Sequence, residues 1–365
     1  MDQYFNPDTI VSGIGCVSEY KGFSAFGRSC MIVCGKSSAR LCGALDDAER
    51  ALRASSVSYS VFDRVEPNPT LEICVRGGET ARDFHADFIL GIGGGSPLDA
   101  AKAIAVLATN PSMEPMDLFK NAYTNAPLPI LAIPTTAGTG SEVTPASVIT
   151  LHEIQNKKSF SDFAIIPKIA FLDPSYTYSL SGSVTASTAV DAFCHAAESY
   201  ITKKSNFLSS SYATGALEIL GPGLGKLAFG YLDKDLRADL LYGSTLAGLA
   251  IACTGTCAVH SMGYPLTYFL NVPHGEANAY FIADFLRYQG EADPGRLSNL
   301  LKKCGFASVD ELSDILLRLF PFDIRLNDTQ IEQFSEISSA APNCQRSVRF
   351  VTPNVVREMF EKYHI

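Results

Sequence analysis

The chain carries no Lys/Arg-rich run, and its 38 acidic residues outnumber 29 basic ones, for a net charge of −9. That balance excludes the electrostatic footprint of a nucleic-acid or anionic-membrane surface and leaves small-molecule chemistry as the expected business of the protein. No window of eighteen uninterrupted apolar residues occurs, and the opening MDQYFNPDTIVSGIG has neither the basic start nor the apolar stretch of a signal peptide. A soluble, cytoplasmic protein with no membrane partner is therefore expected. Ten cysteines are present (16, 30, 34, 42, 74, 194, 253, 257, 304 and 344) but no CxxC pair, so reduced and mostly buried thiols are expected rather than a disulfide framework. No repeat of 20–50 residues and no low-complexity segment is found, which excludes a solenoid or a disordered tail. Histidine is scarce, at six residues in 365, so the position of each one is informative.

What is present divides the chain in two. With 365 residues and 47% hydrophobic content there is more material than one core conveniently organises. From about 29 to 133, short apolar runs alternate with helical stretches: CMIVCG (30–35), VSYSVFD (57–63), ADFILGIG (86–93) and PILAIPTT (129–136). Alternation of this kind implies a Rossmann-like parallel sheet with helices on its faces, and the EPNPT at 66–70 reads as a turn between two βα units. Shorter β pieces follow at 145–173. After about 180, Ala/Leu/Ser patterns such as VTASTAVDAFCHAAESYITK give an all-helical second half. The fold class expected is α/β followed by all-α, with domains at 1–180 and 181–365.

ADFILGIGGGSPLDAAKAIAVL (86–107) reads as a strand, a glycine turn and a helix. Gly93, Gly94 and Gly95 let the backbone turn and leave N–H groups uncovered. Ser96 is expected as N-cap, Pro97 as the first helical residue, and Asp99 as the third position of a variant capping box. Free donors at the positive end of a helix suit a pyrophosphate. Ser96 stands where the usual dinucleotide fingerprint has its third glycine, so the turn alone leaves a ligand-free strand-to-helix corner open. PTTAGTGSEVTPAS (134–147) then places threonine and serine hydroxyls at a second strand's carboxyl end, the edge where open α/β sheets bind ligands.

Three histidines lie in the helical half among apolar neighbours. Asp191 and His195 are four apart on one helix face, and His260 and His274 border Gly/Pro breaks. One carboxylate and three imidazoles suit Fe2+ or Zn2+, with Co, Ni or Mn as lesser fits. Spacing leaves a second reading open, a surface ion pair at 191/195 with two satisfied core histidines. Cys253, Cys257 and His260 form a rival thiolate cluster that lacks a fourth ligand. His85 and His152 have no acidic or imidazole partner at ligand spacing and His364 is at the chain's end, so all three are expected to be structural or solvated. Lys158 is either solvated or in reach of cofactor hydroxyls.

Taken together, GGGSPLDAAKA, IPTTAGTGSEVT, DAFCHAAESY, VHSMGYPL and PHGEANA, in this order and spacing, resemble the iron-containing (group III) alcohol dehydrogenase family over nearly the whole chain. The resemblance implies an N-terminal dinucleotide-binding domain, a C-terminal helical metal domain, a cleft between them for metal and substrate, and a homodimer. It implies Asp191, His195, His260 and His274 as metal ligands and catalytic centre. Gly94, Gly95, Ser96 and Asp99 would surround the pyrophosphate, with Thr135, Thr136, Thr139 and Lys158 along the cofactor. Many members carry histidine where Tyr264 stands here, and NAD-preferring members often carry aspartate where Gly35 stands. Gly35, with Lys36, Ser37 and Ser38, points to NADP(H), NAD(H) being the alternative. The activity implied is a metal-dependent alcohol dehydrogenase or aldehyde reductase for small primary alcohols, diols or aldehydes. Competing readings are a glycerol-dehydrogenase-like relative, a dehydroquinate-synthase-like lyase, and a nucleotide-binding protein without catalysis.

Overall fold

The computed structural model describes residues 9–365. Residues 1–8, part of the stretch read above for a signal peptide, lie outside the described residues. The chain forms two compact units that divide between Leu180 and Ser181.

In the first unit the elements in chain order are β1 (Thr9–Ser12), β2 (Ser29–Cys34), α1 (Ser38–Leu41), α2 (Ala44–Ala54), β3 (Ser58–Phe62), α3 (Leu71–Asp83), β4 (Phe88–Gly93), α4 (Gly95–Thr109), β5 (Ile130–Pro134), β6 (Ala146–Leu151), β7 (Asn156–Ser161) and β8 (Ile169–Leu172). Six strands make one parallel sheet in the order β1-β8-β5-β4-β2-β3, and β6 and β7 form a separate antiparallel pair. The sheet is wrapped on both faces, which is why β2, β4 and β5 are near-continuous apolar runs instead of alternating ones. Period-two alternation sorts their side chains. Met31, Val33 and Ile89 join a core with α3 and α4 residues, whereas Cys30, Ile32, Cys34, Leu90 and Ile92 join another with α2 residues such as Leu45 and Leu52.

The order in which strands are added reverses between β2 and β4, since β3 is added on one side of β2 and β4, β5 and β8 on the other, all of them parallel. Ligand crevices in open α/β sheets form at this kind of switch point, outside the strands' carboxyl ends. β1 was not expected from the sequence, whereas β7 falls within the 145–173 stretch expected to hold short β pieces. β1 has four mostly exposed residues and pairs with β8, and the polar NKKSFS of β7 becomes a strand by pairing with β6.

The helix after the glycine turn begins two residues earlier than expected. Gly94 is the N-cap and Gly95 the first helical residue, so Ser96 lies inside the first turn and does not cap it. Its hydroxyl accepts instead from the Asn68 backbone N–H at 3.0 Å, tying the EPNPT turn to the start of α4.

The second unit holds α5 (Gly182–Ile201), α6 (Phe207–Ala228), α7 (Lys234–Thr254), α8 (Ala258–Leu270), α9 (His274–Ala292), α10 (Pro294–Cys304), α11 (Val309–Leu319), α12 (Asp328–Ala340) and α13 (Pro353–Glu361). The Ser181 side chain caps α5 by accepting from Val184 N–H at 3.2 Å. α5 is the central helix, packed against α6, α7 and α9, and is buried nearly all round from Ala189 to Ser199. Its alanines let neighbours come close. α7 is long and apolar enough to cross a membrane by length and composition alone, but 61% of that window is buried inside the unit.

Candidate metal centre and dinucleotide site

α5 runs Asp191, His195 and Glu198 along one face, at i, i+4 and i+7. Gly255, in the left-handed region at φ 70°, ends α7, and α8 then starts at Ala258 with His260 in its first turn. Asn271 closes α8 in the left-handed conformation, and three residues later His274 opens α9. The start of α9 lies directly on α5, because a Cβ on Gly275 would stand 1.7 Å from the Ser187 carbonyl oxygen. Only glycine permits that approach, and it seats His274 beside Asp191.

The result is a buried cluster. Asp191, His195 and His260 each offer a ligand atom within 4.8 Å of the others, a His/His/Asp site capable of holding a divalent ion. Asp191 Oδ1 lies 3.4 Å from His260 Nε2 and 3.8 Å from His274 Nε2. The His195 and His260 rings stack at 4.4 Å and 16°, while His274 meets His260 edge-on at 5.4 Å. His274 keeps 26% of its side chain exposed, against 2% for His260 and 5% for Asp191, so it forms the open edge of the cluster. Tyr264, one turn beyond His260, stacks on His274 at 5.4 Å and 15°.

Two residues not singled out from the sequence hold the cluster in place. Glu198 is fully buried; one carboxylate oxygen accepts from Val259 N–H at 2.7 Å and the other meets His260 Nδ1 at 2.5 Å. Asn278 Nδ2 donates to Asp191 Oδ1 at 2.9 Å. The signal for Glu198 was present: it shares the helix face of Asp191 and His195. Burial pushes Asp191 up, but the imidazoles of His195, His274 and His260 outweigh it and hold the carboxyl well below its ordinary range. Burial pushes His260 down, yet Glu198 and Asp191 raise it to about 9. A buried site with two carboxylates thus demands positive charge. The donor set fits a divalent ion, and His260 Nε2 is a buried nitrogen with no hydrogen-bond partner that faces Asp191.

The rival cysteine cluster does not form. Among the described residues, Asp191, His195 and His260 are the group placed to hold a metal. Cys253 Sγ turns to the Leu249 carbonyl oxygen at 3.4 Å, Cys257 Sγ to that of Glu198 at 3.7 Å, and burial pushes the Cys253 thiol up to about 11.

In the first unit the carboxyl ends of β2, β4 and β5 share one edge of the sheet, bringing Gly35, the glycine turn and the threonine loop to that edge. The loop lies on the turn: a Cβ on Gly95 would come within 2.6 Å of Thr139 Cγ2, and one on Gly94 within 3.0 Å of Thr136 Oγ1. Thr136 and Thr139 are half-buried, whereas Thr135 is buried, its N–H donating to the Gly93 carbonyl oxygen. Asp99 is occupied within the protein, since its carboxylate oxygens accept from Ser141 Oγ at 2.7 Å and Val148 N–H at 2.9 Å. Lys158 is exposed on β7, its ammonium 5.3 Å from the Phe119 ring centre. Its neighbour lies on the other face of the strand and is half-buried: Lys157 Nζ donates to Asn68 Oδ1 at 2.7 Å, and Asn68 in turn bonds Ser96. The register of a hairpin strand, invisible in NKK, separates the two lysines.

A Rossmann-like parallel sheet and a helical unit bearing a buried His/His/Asp triad support a metal-dependent oxidoreductase enzyme. The chain belongs to the iron-containing alcohol dehydrogenase family. Residues 7–174 match the family model "Iron-containing alcohol dehydrogenase", and 185–337 match "Fe-containing alcohol dehydrogenase family, C-terminal". It is 36% identical over 252 residues to lactaldehyde reductase of Escherichia coli K12, covering 68% of this chain and 65% of that protein, just under two thirds of the relative's length. It is 32% identical over 327 residues to the NADPH-dependent butanol dehydrogenase of Clostridium saccharobutylicum, covering 87% of this chain and 82% of the relative. The crystal structure of an iron-containing alcohol dehydrogenase from Thermotoga maritima superposes with a TM-score of 0.93 at 33% identity, covering 100% of this chain and 99% of that one.

Proposed function

We propose that this chain is an NAD(P)-linked, metal-dependent alcohol dehydrogenase and aldehyde reductase for small primary alcohols, diols or aldehydes. NADP(H) is the favoured dinucleotide and Fe2+ the favoured ion, with NAD(H) and Zn2+ the alternatives. The observation that carries the reading is the buried Asp191, His195 and His260 triad with His274 at its exposed edge.

Asp191, His195, His260 and His274 would hold the ion. When bound, it supplies Lewis-acid polarisation of an alcohol or carbonyl oxygen, and the nicotinamide supplies the hydride chemistry. The chain's own residues prepare the place. Glu198 accepts a hydrogen bond from His260 Nδ1–H, which leaves Nε2 as the lone-pair donor facing Asp191 when the imidazole is neutral. Asn278 fixes the Asp191 carboxylate. His274 and the Tyr264 ring stacked on it form the side on which a small substrate reaches the site.

Gly94, Gly95 and Ser96, overlain by Thr136 and Thr139, form the cradle for the pyrophosphate, with Lys157 taking the place first expected of Lys158. Thr135 and Asp99 serve through the bonds that shape that cradle. The preference for NADP(H) rests on glycine at position 35, at the end of β2, and on Lys36, Ser37 and Ser38 as exposed donors beside it. A relative named as NADPH-dependent agrees with it. Family resemblance supports a homodimer. The test is elemental analysis of anaerobically purified protein, then reduction of C2 to C6 aldehydes and diol precursors with NADPH and NADH. Metal near one per chain and faster turnover with NADPH are expected. A kcat/KM tenfold higher with NADH overturns the dinucleotide preference, and no turnover by metal-loaded protein overturns the activity.

A further inference from the structure

Lys102 is a lysine with no exposed surface, eight residues into α4 and absent from the chemistry above. A buried ammonium is costly unless its donors are met, and here they are met by one short segment. Nζ donates to Ser141 Oγ at 2.8 Å, the Thr144 carbonyl oxygen at 2.9 Å, Thr144 Oγ1 at 3.2 Å and the Ala146 carbonyl oxygen at 2.7 Å. All three residues lie just beyond the threonine loop that covers the glycine turn.

The connection to that loop runs through Ser141. Its hydroxyl accepts from Lys102 and donates to Asp99 Oδ1 at 2.7 Å, so two α4 side chains three residues apart grip one oxygen. Its backbone N–H donates to Thr139 Oγ1 at 3.3 Å, and Thr139 is the residue packed on Gly95. Asp99 adds two bonds to the same segment, accepting from Val148 N–H and, at its carbonyl oxygen, from Ser147 Oγ at 2.8 Å. The loop is thus pinned at one end by β4, whose Gly93 carbonyl oxygen accepts from Thr135 N–H, and at the other by a buried charge on the helix whose N-terminus it covers.

We propose that Lys102, acting through Ser141 and Thr139, is a positioning residue for the dinucleotide: it holds the 135–140 loop down on the glycine turn in the geometry that the phosphates require. This rests on the reading that the turn binds the dinucleotide. Lys102 touches no cofactor atom; removing it releases the loop's far end and raises the ordering cost of binding.

The test is NADPH binding to the full-length chain by fluorescence titration, with steady-state kinetics, metal content and thermal stability, for wild type, K102M and S141A. S141A removes the shared hydroxyl while leaving the other acceptors of Lys102. K102M is expected to weaken NADPH binding on the order of tenfold or more, and S141A by roughly threefold to tenfold, as for loss of a charge-assisted bond. The loss should fall on KM for NADPH rather than on kcat, with metal content unchanged. A purely structural role would lower the melting temperature and leave Kd in place. Should K102M be recovered only as aggregate, S141A decides. Wild-type binding that S141A leaves unchanged overturns this inference alone, whereas a wild-type chain that binds neither NADPH nor NADH overturns the dinucleotide reading and this inference with it.

Discussion

Replacing Glu198 with glutamine changes one heavy atom and tests how the metal centre is held. In the native chain both carboxylate oxygens are committed, one to Val259 N–H at 2.7 Å and one to His260 Nδ1 at 2.5 Å, in a side chain without solvent exposure. A glutamine keeps an oxygen toward Val259 only by turning its NH2 toward His260 Nδ1. Two donors then face each other unless the imidazole moves its proton to Nε2, the nitrogen that faces Asp191 at 3.4 Å. Either way a ligand lone pair is lost or a buried bond is broken. A hydrogen bond to a charged group contributes about 1.5–3 kcal/mol, which corresponds to roughly 10- to 100-fold in an equilibrium constant. Outer partners of metal-binding histidines cost a similar factor when changed. The assay is competition for Zn2+ between the protein and a chromophoric chelator, read alongside the melting temperature of the metal-free chain. E198Q that binds the ion within twofold of wild type would refute this role for Glu198.

Two further outcomes follow from the geometry. In Gly275→Ala the new Cβ would meet the Ser187 carbonyl oxygen at 1.7 Å, so α9 must move away from α5 and carry His274 from Asp191. A loss of about 1–3 kcal/mol in chemical denaturation and weaker metal retention are expected, and wild-type values in both would show that the helices separate at no cost. Lys102 supplies a pH signature: burial pushes its ammonium down to about 8 from 10.5, against the pull of Asp99 and Glu142. Below pH 8 the folded and unfolded chains are both protonated there, and the cost of burying the charge is present in full. Between 8 and 10.5 the unfolded chain binds the extra proton, so this group makes stability rise with pH, by up to about 3 kcal/mol over the window. Denaturation of wild type against K102M from pH 7 to 10 should show wild type gaining on the variant; parallel curves would contradict it.

Local pattern carried much of the architecture. Apolar runs at 30–35, 86–93 and 129–136 are long enough and flanked sharply enough to form central strands whatever surrounds them, and they do. The change of texture near 180 reflects a real change from sheet to helix. Sequence reasoning failed where a neighbour decides. Ser96 has the chemistry of an N-cap, but the backbone N–H of Asn68 takes its hydroxyl, and the helix starts at Gly95. NKKSFS lies in the stretch expected to hold short β pieces, but its register, and with it the difference between Lys157 and Lys158, was not readable without β6 beside it.

By itself the sequence determined the alternating sheet, the helical second half, the glycine turn and the i, i+4 pair of Asp191 and His195, since each depends on residues within one or two turns or one strand. Only the tertiary structure decided that His260, 65 residues after His195, stacks on it at 4.4 Å, and that Glu198 accepts from it. It also decided that Lys102 sets a buried charge against the segment that follows the loop over the glycine turn. Those contacts depend on helices meeting at glycines and on which buried donors find acceptors, and neither can be read from spacing along one strand of chain.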